Sequence, residues 1–368
     1  MVEVLNLDFL TQGPKVPEFE QALINHTGAD YALAVNSATS ALHIACLALG
    51  LSEGDWLWTS PITFVASANC GLYCGAQVDF VDIDSTTYNM CPKRLEEKLV
   101  KAKAEGKLPK VVVPVHLCGQ PCDMASIAKL AKEYNFKVIE DASHAIGGQY
   151  HGQPIGSCTH SDITVFSFHP VKIVTTAEGG AAVTNDKGLQ IKWLYCVAMV
   201  LPVTRNKWER AKVGWYYQQI DLGYNYRMTE LQAALGVSQM KRLEQFIAAC
   251  YRLANRYDEL LKGLPLVTPY QLEDTYSGLH LYVIRLQLAN ISLTRREVFE
   301  ALREREVGVN LHYIPVHIQP YYKKMGFRAG DFPEAECYYS EAISLPMFHA
   351  MSHEQQDEVV GALLEVLK

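Results

Sequence analysis

Lys172 is the residue with the clearest chemical opening. It lies in Ser167-Phe168-His169-Pro170-Val171-Lys172-Ile173-Val174-Thr175-Thr176-Ala177-Glu178-Gly179-Gly180, between the apolar runs 163–166 and 181–184. Both runs read as buried strands. A lysine is costly to bury unless its amine is put to use. One use is a Schiff base with a carbonyl cofactor, where the desolvated, neutral amine is the reactive form. The competing reading is a surface-loop lysine paired with Glu178.

Three further groups follow strand-like runs. Asp141 ends the run 137–140 and opens Asp141-Ala142-Ser143-His144. An acid at a buried strand end can hold a protonated heterocyclic nitrogen, as pyridoxal phosphate requires of its partner. It can also serve as a helix cap or salt-bridge partner. His144 can face the same ligand or fill the core. Asn36-Ser37-Ala38-Thr39-Ser40 lies between the strand-like run 31–35 and the apolar helix 41–49. Free N–H groups and the helix dipole make such a turn an anion site, and Ser37 or Thr39 would equally serve as an ordinary N-cap. Phe64 also follows a strand-like run, 56–59.

The elements that must position these residues alternate. Strands at 56–59, 78–81, 111–115 and 137–140 are separated by helices at 64–73, 93–103 and 124–134, a rhythm that predicts a mainly parallel sheet with helices on both faces. Ligands of such sheets sit beyond the carboxyl ends of the strands, where Thr39, Phe64, Asp141 and Lys172 all fall. A helix is expected from a Thr229 cap to about 242, and another over 243–261. Beyond them lie a strand at 279–286, a helix at 294–305, a strand entering Leu311-His312-Tyr313, and a last helix at 354–367. The predicted division is a large domain over 1–245 and a smaller one over 246–368.

The chain has 368 residues, 49% hydrophobic and 20% charged, enough for two domains and a large core. A net charge of −7 gives no basic footprint for nucleic acid or an anionic membrane. No apolar run has transmembrane length and the N-terminus lacks signal-peptide character, so a cytoplasmic protein is expected. Ten cysteines in apolar contexts fit free buried thiols in a reducing compartment. Cys70 with Cys74, and Cys118 with Cys122, are spaced four apart but lack a zinc-ribbon pattern, and no metal is expected.

Taken together, Asn36 to Ser40, Asp141 to His144, Ser167 to Gly180 and Gly223-Tyr224-Asn225-Tyr226-Arg227 resemble, in order and spacing, the DegT-type (DegT/DnrJ/StrS) sugar aminotransferases. The resemblance covers essentially the whole chain. It implies an α/β chain of the aspartate aminotransferase fold (pyridoxal-phosphate transferase fold type I), with a large domain on a mainly parallel mixed sheet and a smaller α+β C-terminal domain. Ser-Phe-His-x-x-Lys with Thr-Thr-Ala-Glu-Gly-Gly looks most like the branch that aminates C4 of UDP-linked 4-keto sugars in pseudaminic acid synthesis. That implies a UDP-4-keto-6-deoxy-N-acetylhexosamine as acceptor and L-glutamate as donor, in ping-pong order (enzyme class 2.6.1). Lysine at 172 argues against the family's dehydratases, which carry histidine there.

By this resemblance Lys172 would form the Schiff base and shuttle the proton, and Asp141 would hold the pyridinium nitrogen. His144 would lie near the phenolic oxygen, and Phe64 would stack on the ring. Ala38, Thr39 and Ser40, with Ser167, would bind the phosphate. Asn225 would reach the phosphate of a neighbouring subunit, implying a homodimer with shared sites. His312, Tyr313 and His317 would contact the sugar nucleotide. The competing readings are an aminotransferase for UDP-4-keto-arabinose or a dTDP-keto-hexose, and a catalytically impaired cofactor-binding homologue. A dehydrogenase is disfavoured, since no Gly-x-Gly-x-x-Gly follows the first strand.

Two departures from the family pattern bear on activity. The chain opens on Met1-Val2-Glu3-Val4-Leu5, where relatives usually carry a further short segment near the active site, so altered closure over substrate is expected. Residues 195–204 replace the usual Leu-Arg-Ser-His-Gly-Ile-Thr-Arg-Asn. One set of codons for Tyr195-Cys196-Val197-Ala198-Met199-Val200-Leu201-Pro202-Val203-Thr204 encodes that motif when read in another frame. A local frame shift, with loss of a charged turn, is the expectation that resequencing the gene tests.

Overall fold

The computed structural model describes residues 1–6, 8–197, 219 and 222–368. Its centre is a seven-stranded sheet. In spatial order the strands are Tyr31–Val35, Gly180–Thr184, Ile163–Ser167, Lys137–Asp141, Val111–Val113, Trp56–Thr59 and Gln77–Phe80. The pairs among the last five are parallel. Gly180–Thr184 alone runs antiparallel to both of its neighbours. The reason is local: the loop 168–179 contains no helix, and a parallel return needs a crossover connection.

Alternation along the strands builds two cores. Leu57, Val111, Val113 and Ile139 face one side with helices Ala38–Ala48, Ala66–Tyr73 and Lys187–Val197. Trp58, Val112 and Val138 face the other, with helices Lys15–Thr27, Pro92–Glu105 and Met124–Tyr134. This period-two division follows from the pleat. Trp193 is fully buried in the first core; Trp208, Trp215 and residues 198–204 lie outside the described residues.

Helix Leu243–Leu260 begins in the second core through Leu243 and Ile247 and ends in a third through Leu253 and Tyr257. That third core joins helices Arg295–Glu304 and His353–Val366 to a sheet of Leu266–Val267, Tyr282–Leu286 and Ala342–Leu345. Capping boxes at Thr229, Thr294 and Ser352 start three of these helices, each cap worth about 1 kcal/mol.

Two expected elements differ. The strand over 279–286 is confined to Tyr282–Leu286, because Leu279 sits at φ 45°, outside extended space. Leu311-His312-Tyr313 is not a strand; Asn310 makes a single antiparallel bridge to Ser344, and the chain then turns towards the large sheet.

Candidate active site

The parallel strands deliver their carboxyl ends to one edge of the sheet, and a cavity of about 290 Å³ opens there. Lys172, Asp141 and His144 line it, as do Ala38, Thr39 and Phe64. Ser167, His312 and Tyr313 complete the predicted residues found at its wall. Ser40, Asn225 and His317 are not brought there.

Lys172 is held in its loop by its own N–H, which donates to the His169 carbonyl at 2.9 Å. Its Nζ has no hydrogen-bond partner among the described residues. Glu178 instead faces His169, with Oε1 at 3.8 Å from Nε2, so the reading of a lysine paired with Glu178 is overturned. Burial pushes the Lys172 ammonium down to about 8, although the Asp141 carboxylate pulls the other way. An unpaired, partly neutral amine in a cavity is a nucleophile and a base.

Asp141 is the last residue of its strand and is 4% exposed. Its Oδ1 accepts from the Ser143 N–H at 3.1 Å, and its Oδ2 accepts from Ser67 Oγ at 2.6 Å. Ser67 Oγ lies 2.7 Å from Thr63 Oγ1. The carboxylate is thus fixed from two sides. Neither Ser67 nor Thr63 stood out in the sequence: both are small polar residues whose only signal is the strand end they face.

His144 is neutral, and its tautomer follows from its partners. The Cys118 N–H donates to Nδ1 at 3.2 Å, so the proton resides on Nε2, which lies 3.1 Å from Tyr313 Oη. Burial first, then Lys172 and the neighbouring His280 and His312, hold its protonation well below the ordinary range. His280 stacks on it with ring centroids 4.5 Å apart and was not anticipated from sequence. His312 sits at the wall with Nδ1 2.7 Å from Ser344 Oγ; burial and then Lys172 push it down to about 4. The histidines leave the Lys172–Asp141 pair to set the charge of the site.

The far end is an anion cradle. Ser37 caps helix Ala38–Ala48 by accepting from the Ser40 N–H, and the first-turn N–H groups of Ala38 and Thr39 have no preceding carbonyl to bond. Both sequence readings of this turn therefore hold at once, cap and open donors. A Cβ on Gly180 would lie 2.4 Å from the Ala38 nitrogen, so only glycine lets the strand approach this helix end. Phe64 presents a ring 59% exposed at the cavity, 6.3 Å from that of Tyr313.

Ser40 faces away because its hydroxyl is committed inside the turn, donating to Asn36 Oδ1 at 2.7 Å. Asn225 is exposed outside this chain's cavity. Its carbonyl accepts from Asn36 Nδ2 at 3.3 Å, which ties its segment to the base of the cradle helix. His317 is fully buried, with Nε2 2.9 Å from Glu336 Oε1 and its ring against Phe332; apolar packing takes it out of reach of the cavity. Among the described residues no group of three or more His, Cys, Asp or Glu side chains is placed to hold a metal.

The donor set fits pyridoxal phosphate. Open N–H groups match its phosphate, a fixed buried carboxylate its ring nitrogen, an exposed aromatic face its ring, and an unpaired amine its aldehyde.

Comparison with known proteins gives the same picture over the full length. The model of the DegT/DnrJ/EryC1/StrS aminotransferase family matches residues 1–364. The spore coat polysaccharide biosynthesis protein SpsC of Bacillus subtilis is 38% identical, over 100% of this chain and 93% of that protein. A UDP-4-amino-4,6-dideoxy-N-acetyl-beta-L-altrosamine transaminase of Campylobacter jejuni is 36% identical, over 100% and 94%. The solved structure of Helicobacter pylori PseC, an aminotransferase involved in the biosynthesis of pseudoaminic acid, superposes with TM-score 0.89 at 31% identity, covering 100% and 94%.

Proposed function

The chain belongs to the DegT/DnrJ/EryC1/StrS aminotransferase family, and on that footing we propose that it aminates C4 of a UDP-linked 4-keto-6-deoxy-N-acetylhexosamine, with L-glutamate as donor. It is a pyridoxal-phosphate-dependent sugar aminotransferase of the fold type I class. The observation that carries the choice of sugar is full-length similarity to the Campylobacter jejuni transaminase and to PseC.

Pyridoxal phosphate, when bound, supplies an electron-withdrawing ring that acidifies the Cα–H of the amino donor. We assign this chain's residues the following work. Lys172 Nζ holds the aldehyde carbon, then carries the proton off and back as general base and acid. Asp141 keeps the ring nitrogen protonated through its two fixed oxygens. The first-turn N–H groups of Ala38 and Thr39, with Ser167, hold the phosphate; Phe64 covers one ring face. His144 stands at the phenolic oxygen, and His312 and Tyr313 meet the sugar nucleotide.

The division at residue 245 is supported by helix Leu243–Leu260, which passes from one core to the next. A homodimer in which Asn225 enters the neighbour's site is supported by its exposure beside the cradle helix. A cytoplasmic setting is supported by ten free thiols; no helix among the described residues is long and apolar enough to cross a membrane.

A second reading, amination of a different nucleotide-linked keto-sugar, is favoured by the 38% identity to SpsC. A panel of UDP- and dTDP-linked 4-keto sugars, offered to enzyme preloaded with glutamate, decides between them. Turnover restricted to the UDP-4-keto-6-deoxy-N-acetylhexosamine supports the first; turnover only with another sugar sinks it.

A further inference from the structure

Cys46, Cys70 and Cys74 meet where helix Ala38–Ala48 packs on helix Ala66–Tyr73. Cys46 and Cys70 are fully buried, while Cys74, just past its helix end, is partly open. The Cys46 thiol is within hydrogen-bonding reach of both others. Cys70 spends its S–H on the Ser67 carbonyl, 3.3 Å away, so the pair free to react is Cys46 with Cys74. His43, one turn before Cys46, lies beside Cys74. Its ring is buried, Nδ1 is 3.0 Å from Tyr226 Oη, and Nε2 has no hydrogen-bond partner among the described residues. The Cys46 hydrogen bond, and then His43, bring the Cys74 thiol down to about 6 against the opposing effect of burial.

We propose that Cys74 and Cys46 form a reversible thiol–disulfide exchange site for small-molecule disulfides of the glutathione class. Cys74 gives its proton to His43 and attacks one sulfur of the disulfide, whose other sulfur leaves as a thiolate and takes up a proton. Cys46 then attacks the Cys74 sulfur, giving up its own proton. The Cys46–Cys74 bond forms and the second small thiolate leaves, protonated in turn. Two protein thiols are oxidised and one disulfide is reduced to two thiols.

The linked helices are the two that frame the active site. One presents the Ala38 and Thr39 N–H groups; the other carries Ser67, which fixes Asp141. Drawing their sulfurs to about 2.05 Å strains both supports, and an affinity for pyridoxal phosphate about fivefold lower is expected, the low end of coupling between linked sites.

The test incubates the full-length holoenzyme with oxidised glutathione, then maps peptides and titrates pyridoxal phosphate into the stripped protein. A Cys46–Cys74 disulfide reversed by dithiothreitol, with weakened cofactor binding, is the expected result. Cys46→Ser should stop at a mixed disulfide on Cys74, and Cys337→Ser should leave the exchange unchanged. In the unsubstituted chain, modification confined to Cys337, a mixed disulfide that never closes, or a disulfide with unaltered cofactor affinity overturns the proposal.

Discussion

Tyr313 Oη stands 3.1 Å from His144 Nε2, and this bond joins residues 169 positions apart. It links the loop from the C-terminal sheet to the turn that follows Asp141, so the sugar-facing wall and the cofactor-facing wall share one hydrogen bond. Tyr313→Phe removes that bond and little else. About 1 kcal/mol of stability should be lost. KM for the sugar nucleotide should rise roughly tenfold while the half-reaction with glutamate is preserved, as expected when binding and not chemistry is touched. An unchanged KM would remove Tyr313 from the substrate wall.

Lys172→Ala should abolish turnover and covalent retention of the cofactor. Borohydride treatment of the unsubstituted holoenzyme, followed by peptide mapping, should place the cofactor on Lys172. A label on any other lysine would refute the assignment.

Ser67→Ala leaves Asp141 Oδ2 without its donor while Oδ1 keeps the Ser143 N–H. The expected effect is a roughly tenfold loss of kcat, about 1.4 kcal/mol, with weaker cofactor binding. Asp141→Asn should be far more severe. Equal activity of Ser67→Ala and the unsubstituted enzyme in both readouts would show that the bond does not support the carboxylate.

Burial lowers Lys172 to about 8, so its free amine, the form that captures an aldehyde, gains population as pH rises through that value. The rate at which stripped protein takes up pyridoxal phosphate should climb between pH 7 and about 9 and then level off. A rate flat across this range would contradict the environment described for the amine.

Glu20 offers a stability test away from the site. Burial pushes its carboxyl up to about 7, partly opposed by the Ala34 N–H, which donates to Oε1 at 2.9 Å. A carboxyl raised on folding binds more protons in the native state, so stability falls as pH rises from about 4.5 through 7. Glu20→Gln keeps an acceptor for Ala34 and removes the titration. It should raise Tm at pH 8 and leave Tm nearly unchanged at pH 4. Identical Tm profiles of the two proteins would rule out the shift.

The sequence by itself determined what depends on near neighbours. Thr229, Thr294 and Ser352 start their helices through partners three residues on, and the strand–helix alternation placed Asp141 and the Lys172 loop at strand ends. Spacing of this kind is readable because turns, caps and pleats close within a few residues. Tertiary packing decided what depends on distant ones. Ser67 reaches Asp141 across 74 positions, Glu178 turns to His169 instead of Lys172, and apolar packing removes His317 from its loop's cavity. A side chain's partner is set by which surfaces the fold presses together, and burial then fixes its charge; neither is written in the spacing of the residues along the chain.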